Sequence, residues 1–376
     1  MEKVLESSPL TQMLSAKASK LKIPISGTFE LSPVCNFSCK MCYVRKTQRE
    51  VNAHHRPMMT LEQWLQIAKE AREQGMLFLL LTGGEPFLWP DFWKLYEGLI
   101  QMGFVVSINT NGSLIDEEAI ERLKKFPPKR LNITLYGASD ETYEALCGAK
   151  GVFGKLDRTL QKLKEAGITV KLNCSMTPTN VGDMEKIITY AKAHDLFLEV
   201  ATYMFPPIRR DEQRIGENHR FSAKEYGTYH LKQYRLQYGE EKYFEILNNI
   251  KQKSVPPPGL DESCRDPVDG KIRCRAGKAA FWITWDGYLT PCGMMPRPKL
   301  DLYEQDFASA WKELVRISDE VSLSGVCSNC PNQRLCNTCA AIAMAETGST
   351  EGIPTYLCKA VEVFQEIAEK DLPDSI

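Results

Sequence analysis

Residues 27–43 read GTFELSPVCNFSCKMCY, a strand-like stretch that leads directly into three closely spaced cysteines. The spacing is Cys35-x3-Cys39-x2-Cys42, so three thiolates fall in one short loop and can surround a single metal centre. A structural zinc site takes four protein ligands, and an electron-transfer 4Fe–4S cluster takes four cysteines. Three cysteines therefore leave one coordination position for a group that is not protein. The alternatives are a zinc site completed by a distant histidine, and cysteines that share no metal.

Outward from this loop, the first half of the chain alternates between strand-like and helix-like stretches. The predicted strands are rich in β-branched or aromatic residues and are bounded by Gly, Pro, Asn or Asp. They are expected at residues 27–31, 77–81, 104–108, 131–135, 170–174 and 197–201. Between them, Thr60 with Gln63 is typical of a capping box, and Gly167 is typical of a helix end. Six successive βα units predict an α/β fold, a partial (βα)6 TIM-like barrel.

Unusual residues follow two of these strands at their carboxyl ends, where a barrel places its catalytic groups. The run Gly83-Gly84-Glu85-Pro86 follows the second strand, and Asn111 follows the third. The two glycines would let the backbone approach a ligand closely, and Glu85 supplies an anion suited to an ammonium group. Each run alone is a common turn signal. On the same rim as the cysteines, they predict a ligand-binding site.

The C-terminal third of the chain is organised around eight further cysteines. They read Cys264-x9-Cys274-x17-Cys292, then Cys327-x2-Cys330-x5-Cys336-x2-Cys339, then Cys358. Eight ligands fill two four-thiolate sites, but two successive Cys-x2-Cys pairs also fit a zinc ribbon, so the spacing alone leaves iron–sulfur and zinc open. Apart from helices predicted at 307–318 and 359–369, the region has few periodic apolar elements. We expect it to depend on metal for stability.

Composition narrows the classes of protein further. The chain has 376 residues, 43% of them hydrophobic, and a formal net charge of -1, which gives no electrostatic reason to expect nucleic acid or a membrane as partner. No apolar run reaches the length of a membrane span, and the N-terminus lacks a signal-peptide core. We expect a cytoplasmic protein whose cysteines are reduced and bind metal. Four segments are predicted: an N-terminal extension (1–24), the barrel (25–205), a mostly helical insert or linker (206–258) and a cysteine-rich domain (259–376).

The cysteine loop, the aromatic Tyr43 directly after it and the Gly-Gly-Glu-Pro run resemble the signature of the radical S-adenosylmethionine (SAM) superfamily over about residues 25–205. The resemblance implies that the three loop cysteines bind a 4Fe–4S cluster whose fourth iron chelates SAM. It also implies that segment 83–86 binds the methionine amino group, that Tyr43 lies near the adenine and that Asn111 contacts SAM. The implied chemistry is reductive cleavage of SAM to methionine and a 5′-deoxyadenosyl radical, which abstracts hydrogen from a substrate.

The C-terminal cysteines resemble the SPASM extension, which binds two auxiliary 4Fe–4S clusters in radical SAM enzymes that modify peptides. The resemblance implies that the first cluster is bound by Cys264, Cys274, Cys292 and Cys339, and the second by Cys327, Cys330, Cys336 and Cys358. The two-residue gap before Cys339 is one shorter than usual, which leaves open whether the first cluster has all four ligands. The residue after Cys292 is Gly293, where sulfatase-maturing relatives have an Asp general base, so formylglycine formation is not expected.

Three functional hypotheses follow. The first is a radical SAM enzyme that crosslinks, epimerises or oxidises a ribosomally made peptide; the second is a radical SAM enzyme acting on a small molecule or cofactor precursor. The third, from another class, is a non-catalytic zinc- or iron-binding scaffold. The enzyme hypotheses require an external one-electron donor of the flavodoxin or ferredoxin kind. Peptide recognition would fall to the barrel, to residues 209–252 or to a separate recognition protein, and the sequence identifies no catalytic acid or base.

Two pairs of residues have less specific predictions. Cys147 lies where related enzymes often have an Arg for the SAM carboxylate, but it and Cys174 are expected to be buried small hydrophobes. Arg209 and Arg210 follow the last predicted strand and are expected to be a solvated charge pair; the alternative is that they bind a carboxylate of SAM or substrate.

Overall fold

The computed structural model describes residues 9–253, 274–336 and 338–372. Their strands are β1 (Ser26–Glu30), β2 (Phe78–Thr82), β3 (Val105–Thr110), β4 (Arg130–Thr134), β5 (Val170–Ser175), β6 (Phe197–Ala201), β7 (Ala280–Ile283), β8 (Tyr288–Thr290) and β9 (Leu300–Asp301). These nine described strands form one sheet in the order β6-β5-β4-β3-β2-β1-β7-β8-β9. The pairs from β6 to β7 are parallel, and β8 and β9 are added antiparallel. The α/β fold with six successive parallel strands is confirmed, each strand lying within two residues of its predicted position.

Helices cover the outer face of the sheet. In chain order they are α1 (Pro9–Leu21), α2 (Gln48–Asn52), α3 (Leu61–Glu73), α4 (Phe92–Gln101), α5 (Glu117–Lys125), α6 (Asp140–Cys147), α7 (Phe153–Glu165), α8 (Met184–Ala193), α9 (Ala223–Lys251), α10 (Phe307–Glu320), α11 (Gly325–Ser328), α12 (Ala340–Thr347) and α13 (Thr355–Asp371). The capping box predicted at Thr60 and Gln63 is present at the start of α3. Helix α9 is kinked at Gly239, whose φ is 82°.

Alternating side chains decide which face of each strand meets the helices. On β3 and β4, Val106, Ile108, Leu131 and Ile133 are buried under the helical layer. Because successive side chains on a strand point to opposite faces, the residues between them point into the barrel. Those inward residues are mostly polar, which is unusual because barrel interiors are normally filled by Val, Ile and Leu.

The C-terminal part of the chain belongs to the same core as the barrel. Strand β7 pairs in parallel with β1, with Ala280 opposite Ser26, and Phe307 and Trp311 of α10 are buried with the barrel's apolar residues. Helix α13 packs along α9. The sequence shows few periodic apolar stretches in this region, so these contacts are not evident from it. The apolar residues of the region pack on the barrel core. The predicted segment boundaries stay a prediction, and the one near 258 falls outside the described residues.

In the parts of the chain that the structure describes, no helix combines the length and the apolar character that a bilayer crossing demands.

Candidate active site

The loop after β1 holds Cys35, Cys39 and Cys42, all partly buried. Backbone hydrogen bonds tie it to helix α6: Ser38 N donates to Cys147 O at 2.7 Å, and Lys40 N donates to Leu146 O at 3.0 Å. Two further backbone N–H groups point at sulfur. The amide of Phe37 lies 3.4 Å from Cys35 Sγ, and the amide of Arg45 lies 3.3 Å from Cys42 Sγ. Hydrogen bonds of this kind accompany the thiolates of iron–sulfur clusters and tune their potential, so the loop fits a cluster.

Burial gives two of these three sulfurs, those of Cys35 and Cys42, a reason to bind a cation. Burial raises the pKa of the Cys35 thiol to about 12, and it also raises the pKa of Cys42. A buried thiolate without a positive partner is costly, and metal binding is what compensates it. Without a cation these two sulfurs would stay protonated, so formation of their thiolates depends on a bound metal centre.

The Gly-Gly-Glu-Pro run lies against the backbone that precedes these cysteines. Gly84 N donates to Ser32 O at 2.7 Å, and Glu85 N donates to Val34 O at 3.0 Å. A Cβ on Gly83 would lie 2.5 Å from Ser32 O, and one on Gly84 would lie 2.4 Å from Val34 O. Both distances are too short for any side chain. The glycines are thus required by close packing of two loops, a physical role beyond the ligand contact that the sequence suggests.

Glu85 points away from the cavity and joins two strand ends. Its carboxylate is fully buried and accepts hydrogen bonds from Thr110 Oγ1 (2.8 Å), Asn111 N (2.8 Å) and Phe87 N (3.2 Å). Burial raises its pKa to about 7. Pro86 is buried beside it, at the start of a short 3-10 turn. In this arrangement Glu85 fixes where Asn111 lies, while its predicted contact with an ammonium group stays a prediction.

Asn111 reaches from β3 to the cysteine loop. Its Nδ2 donates to Asn36 Oδ1 at 2.9 Å and lies 3.8 Å from Cys35 Sγ. Its Oδ1 accepts from the amide and the hydroxyl of Ser113 at 2.9 Å and 2.6 Å. A network that holds both amide atoms fixes the orientation of the side chain. The structure therefore brings Asn111 and the cysteine loop together on one rim.

One cavity of about 470 Å³ lies under this rim. Its wall includes the three loop cysteines, Tyr43, Gly83, Gly84 and Asn111, together with inward residues of β3 to β6. Of the residues predicted to contact a cofactor, Glu85 and Pro86 lie outside this wall. A volume of this size is in the range of small-molecule and cofactor pockets.

The contact between Cys147 and the cysteine loop is one that the sequence does not reveal. It is fully buried at the end of α6, and its thiol is hydrogen-bonded with Cys39. That contact, followed by burial, raises the pKa of Cys147, and it lowers the pKa of Cys39. Cys174 is buried on β5 as expected, where burial raises its pKa to about 12, and it lines the cavity.

Arg209 is buried and paired, contrary to the expectation of a solvated charge. Its Nη2 donates to both carboxylate oxygens of Glu30 at 3.0 Å, and its Nη1 donates to Gly293 O at 2.7 Å. Glu30 is the last residue of β1, is fully buried and also accepts from Trp282 Nε1 at 2.9 Å. One guanidinium thus links the strand before the cysteine loop to the residue after Cys292.

The same region explains the missing Asp after Cys292. A Cβ on Gly293 would lie 2.6 Å from the ring of Trp282. Any side chain at this position would require the indole to move, and the indole is held by its hydrogen bond to Glu30. The space that a side chain at position 293 would take is therefore occupied by the indole of Trp282.

The seven described C-terminal cysteines form two groups. Cys327, Cys330, Cys336 and Cys358 line one cavity of about 100 Å³. Cys274, Cys292 and Cys339 interact electrostatically with one another and lie in a second apolar cluster around Ala276 and Met295. Neighbours in sequence, Cys336 and Cys339 fall into different groups. Cys264, the predicted fourth member of the Cys292 group, lies outside the described residues.

Across residues 9–253, 274–336 and 338–372, no three His, Cys, Asp or Glu side chains converge closely enough to bind a single metal ion.

The fold and the site together define an α/β barrel enzyme that presents three cysteines and a glycine-rich loop to an open cavity at the carboxyl ends of its strands. Residues 29–191 match the family model of the radical SAM superfamily. The chain thus contains a radical SAM domain and is a radical SAM superfamily enzyme.

Proteins similar to this chain include a heme synthase and a maturation protein. The AdoMet-dependent heme synthase of Methanosarcina barkeri is 25% identical over 332 residues, covering 85% of this chain and 92% of the relative. The sporulation killing factor maturation protein SkfB of Bacillus subtilis is 26% identical over 286 residues, covering 76% and 64%. Among solved structures, Streptococcus suis SuiB bound to its precursor peptide SuiA has a TM-score of 0.65 at 18% identity, covering 94% of this chain and 82% of SuiB. That likeness extends the shared fold through the C-terminal region.

Proposed function

We propose that this protein is a radical SAM peptide maturase, which uses SAM to abstract a hydrogen from a ribosomally made precursor peptide. The observation that carries the proposal is the shared cavity: the three loop cysteines, Gly83, Gly84 and Asn111 border a space of about 470 Å³ that continues into the barrel. Two similar proteins support a peptide as the substrate: SkfB is a maturation protein, and SuiB binds a precursor peptide.

When bound at Cys35, Cys39 and Cys42, a 4Fe–4S cluster with SAM supplies the 5′-deoxyadenosyl radical that abstracts hydrogen. The chain's own residues orient the cofactor. Gly83 and Gly84 line the cavity wall, so this run presents backbone and no side chain to the methionine end of SAM.

Glu85 and Asn111 act as one unit in this arrangement. The buried carboxylate of Glu85 accepts a hydrogen bond from the backbone amide of Asn111 and so fixes the position of Asn111 at the rim. The side-chain amide of Asn111 then stands beside Cys35, where it can meet both cluster and cofactor. Tyr43 lines the same wall. A walled cavity of this kind limits the access of water to a reactive intermediate.

The C-terminal cysteines are proposed to hold two auxiliary 4Fe–4S clusters. The four cysteines around the 100 Å³ cavity fit one cluster, and Cys358 is exposed there, which brings that cluster to the surface. Cys274, Cys292 and Cys339 would hold the other with Cys264. An external donor of the flavodoxin or ferredoxin kind supplies the electron. Recognition of the peptide falls to the barrel, to residues 209–252 or to a partner protein.

The decisive experiment measures 5′-deoxyadenosine and iron in anaerobically purified protein. With SAM and a strong reductant, the wild type should form 5′-deoxyadenosine and contain about twelve iron, from three four-iron clusters. Cys42→Ala should abolish the product and lose about four iron. The matched control is Cys358→Ala, which should lose a different set of about four iron and keep the SAM-binding cluster.

Two results would contradict the proposal. Formation of no 5′-deoxyadenosine by the iron-loaded wild type would remove the radical chemistry. About four zinc per chain with little sulfide would instead indicate the scaffold hypothesis.

A second function, conversion of a small molecule, is favoured by one observation: the heme synthase relative matches nearly its whole length. Incubation with iron porphyrins separates the two functions, because a peptide maturase would leave them unchanged.

A further inference from the structure

The floor of the barrel carries charge that neither the cluster nor SAM accounts for. Below the rim, the cavity is lined by inward-facing polar residues of four neighbouring strands: Asn109, Arg130, Asn132, Thr134, Lys171, Asn173 and Glu199. Barrel interiors are normally packed with apolar side chains. A polar lumen of this size is an open site rather than a core.

The charges on this floor do not balance. Lys171 forms an ion pair with Glu199. Arg130 also interacts electrostatically with the carboxylate of Glu199. Two cations therefore face one anion. Burial lowers the pKa of Arg130, which reflects the cost of its charge in this environment and favours an additional anion beside it.

Hydrogen-bonding capacity is also left over. Within the described residues, neither Arg130 Nε nor Asn132 Oδ1 has a hydrogen-bond partner, although both atoms are buried. Asn132 is 5% exposed, and its Nδ2 donates to Asn109 Oδ1 at 2.7 Å. Buried polar atoms of native proteins are usually satisfied, so these two atoms mark the floor as a polar region that protein contacts alone do not complete.

We propose that Arg130 and Lys171 bind a carboxylate of the substrate at the floor of the barrel. An Arg and a Lys side by side suit a carboxylate, since the guanidinium can donate two parallel hydrogen bonds. The proposal rests on the proposed function, and it assigns to the peptide an acidic group that serves as an anchor.

The depth of the site separates this anchor from the attacked carbon. Arg130 begins β4, and Thr134 ends it near the rim. Four residues of strand at about 3.3 Å each, reduced by the tilt of barrel strands, place the floor roughly 10 Å below the rim. An extended peptide covers that distance in about three residues. The anchoring carboxylate therefore belongs to a residue about two to three positions from the one that is modified.

Binding of short probes to the anaerobic, cluster-loaded enzyme with SAM tests the inference. The probes are the blocked tripeptide acetyl-Ala-Glu-Ala-amide, its Gln counterpart, acetyl-Ala-Gln-Ala with a free C-terminal carboxylate, and glutarate. The Glu tripeptide should bind at least about ten-fold more tightly than the blocked Gln tripeptide, the size of one charge-assisted hydrogen bond. The free-carboxylate probe shows whether a chain terminus can replace the acidic side chain.

Two variants should change the affinity for the Glu tripeptide in opposite directions, and a third serves as a control. Arg130→Gln should erase the preference for the Glu tripeptide. Glu199→Gln should strengthen binding several-fold, because it removes a competing carboxylate, and a misfolded protein cannot mimic a gain. The control, Lys124→Gln on exposed helix α5, changes the net charge equally and should behave as the wild type.

The outcomes separate this inference from the proposed function. Equal affinity for the Glu and Gln tripeptides, or a Glu199→Gln variant that binds no better, would overturn the carboxylate site even if 5′-deoxyadenosine forms. A weaker Kd for SAM alone in Arg130→Gln would assign the pair to the cofactor and overturn it as well. Binding of glutarate but of no peptide, lost in Arg130→Gln, would support the site and overturn the peptide substrate.

Discussion

Removal of the Arg209 guanidinium is expected to destabilise the enzyme more than any surface charge change. Arg209→Met leaves the Glu30 carboxylate, which is 0% exposed, with one hydrogen bond from Trp282 and no cation. Loss of one partner from a buried ion pair costs about 3–5 kcal/mol. At about 2 °C or less per kcal/mol for a chain of this length, the thermal midpoint should fall by roughly 5–10 °C.

The measurement is thermal unfolding of the anaerobic holoprotein followed by circular dichroism, with Arg122→Met as the surface control. Arg122 pairs with Glu118 and Glu97 on the helical layer and should cost less than about 1 kcal/mol. The double variant Arg209→Met with Glu30→Gln should regain more than half of the loss, because the amide is neutral and still accepts from the indole.

Two results would refute this reasoning. One is an Arg209→Met midpoint as close to the wild type as that of the Arg122 control. The other is a double variant as unstable as the sum of its single changes, which would show that the two residues act independently.

Three other predictions follow from the contacts. Gly84→Ala should abolish SAM cleavage and lower stability, since its Cβ would lie 2.4 Å from a carbonyl oxygen, whereas Gly182→Ala, with no atom within 4 Å of its Cβ, should be near neutral in both assays. Burial lowers the pKa of His230 to about 4, below the ordinary 6.5, so the unfolded chain takes up this proton first as the pH falls. Stability should then decline between pH 6.5 and pH 4 by up to about 3 kcal/mol, and acid titration of unfolding should show a flatter profile for His230→Gln; equal profiles would contradict the assignment. Cys336→Ala and Cys339→Ala should each lose about four iron, but from different clusters, so iron analysis of the double variant should show about eight lost; a double loss of only four would place both cysteines on one cluster.

The sequence predicts the barrel well because its signals are local. Alternating apolar residues, the capping box at Thr60 and the turn residues between elements each act within a few positions. The loop cysteines are equally local, and their order relative to the strands is enough to predict which rim they occupy. The structure places Cys336 and Cys339 in two different groups, while the implied ligand sets stay a prediction.

The contacts that the sequence does not reveal join distant parts of the chain. Glu30 and Arg209 are 179 residues apart, and only the fold shows that one neutralises the other. From the sequence, Glu85 looks like a free carboxylate that could bind an ammonium group. Its hydrogen-bond donors Thr110 and Asn111 lie at the end of the next strand, so a local motif does not show that they pair with it. Cys147 approaches Cys39 only because helix α6 packs under the cysteine loop.

The pairing of β7 with β1 also bears on how the chain folds during synthesis. Strand β1 has its β2 neighbour early, but its other edge finds β7 only about 250 residues later. At roughly 5–20 residues per second, that edge stays open for about 12–50 s on the ribosome. An unpaired edge is a template for wrong pairing and aggregation. The cysteine-rich tail therefore covers the open edge of the nascent barrel only late in synthesis. A chain truncated before residue 280 would leave the edge of β1, next to the cysteine loop, unpaired.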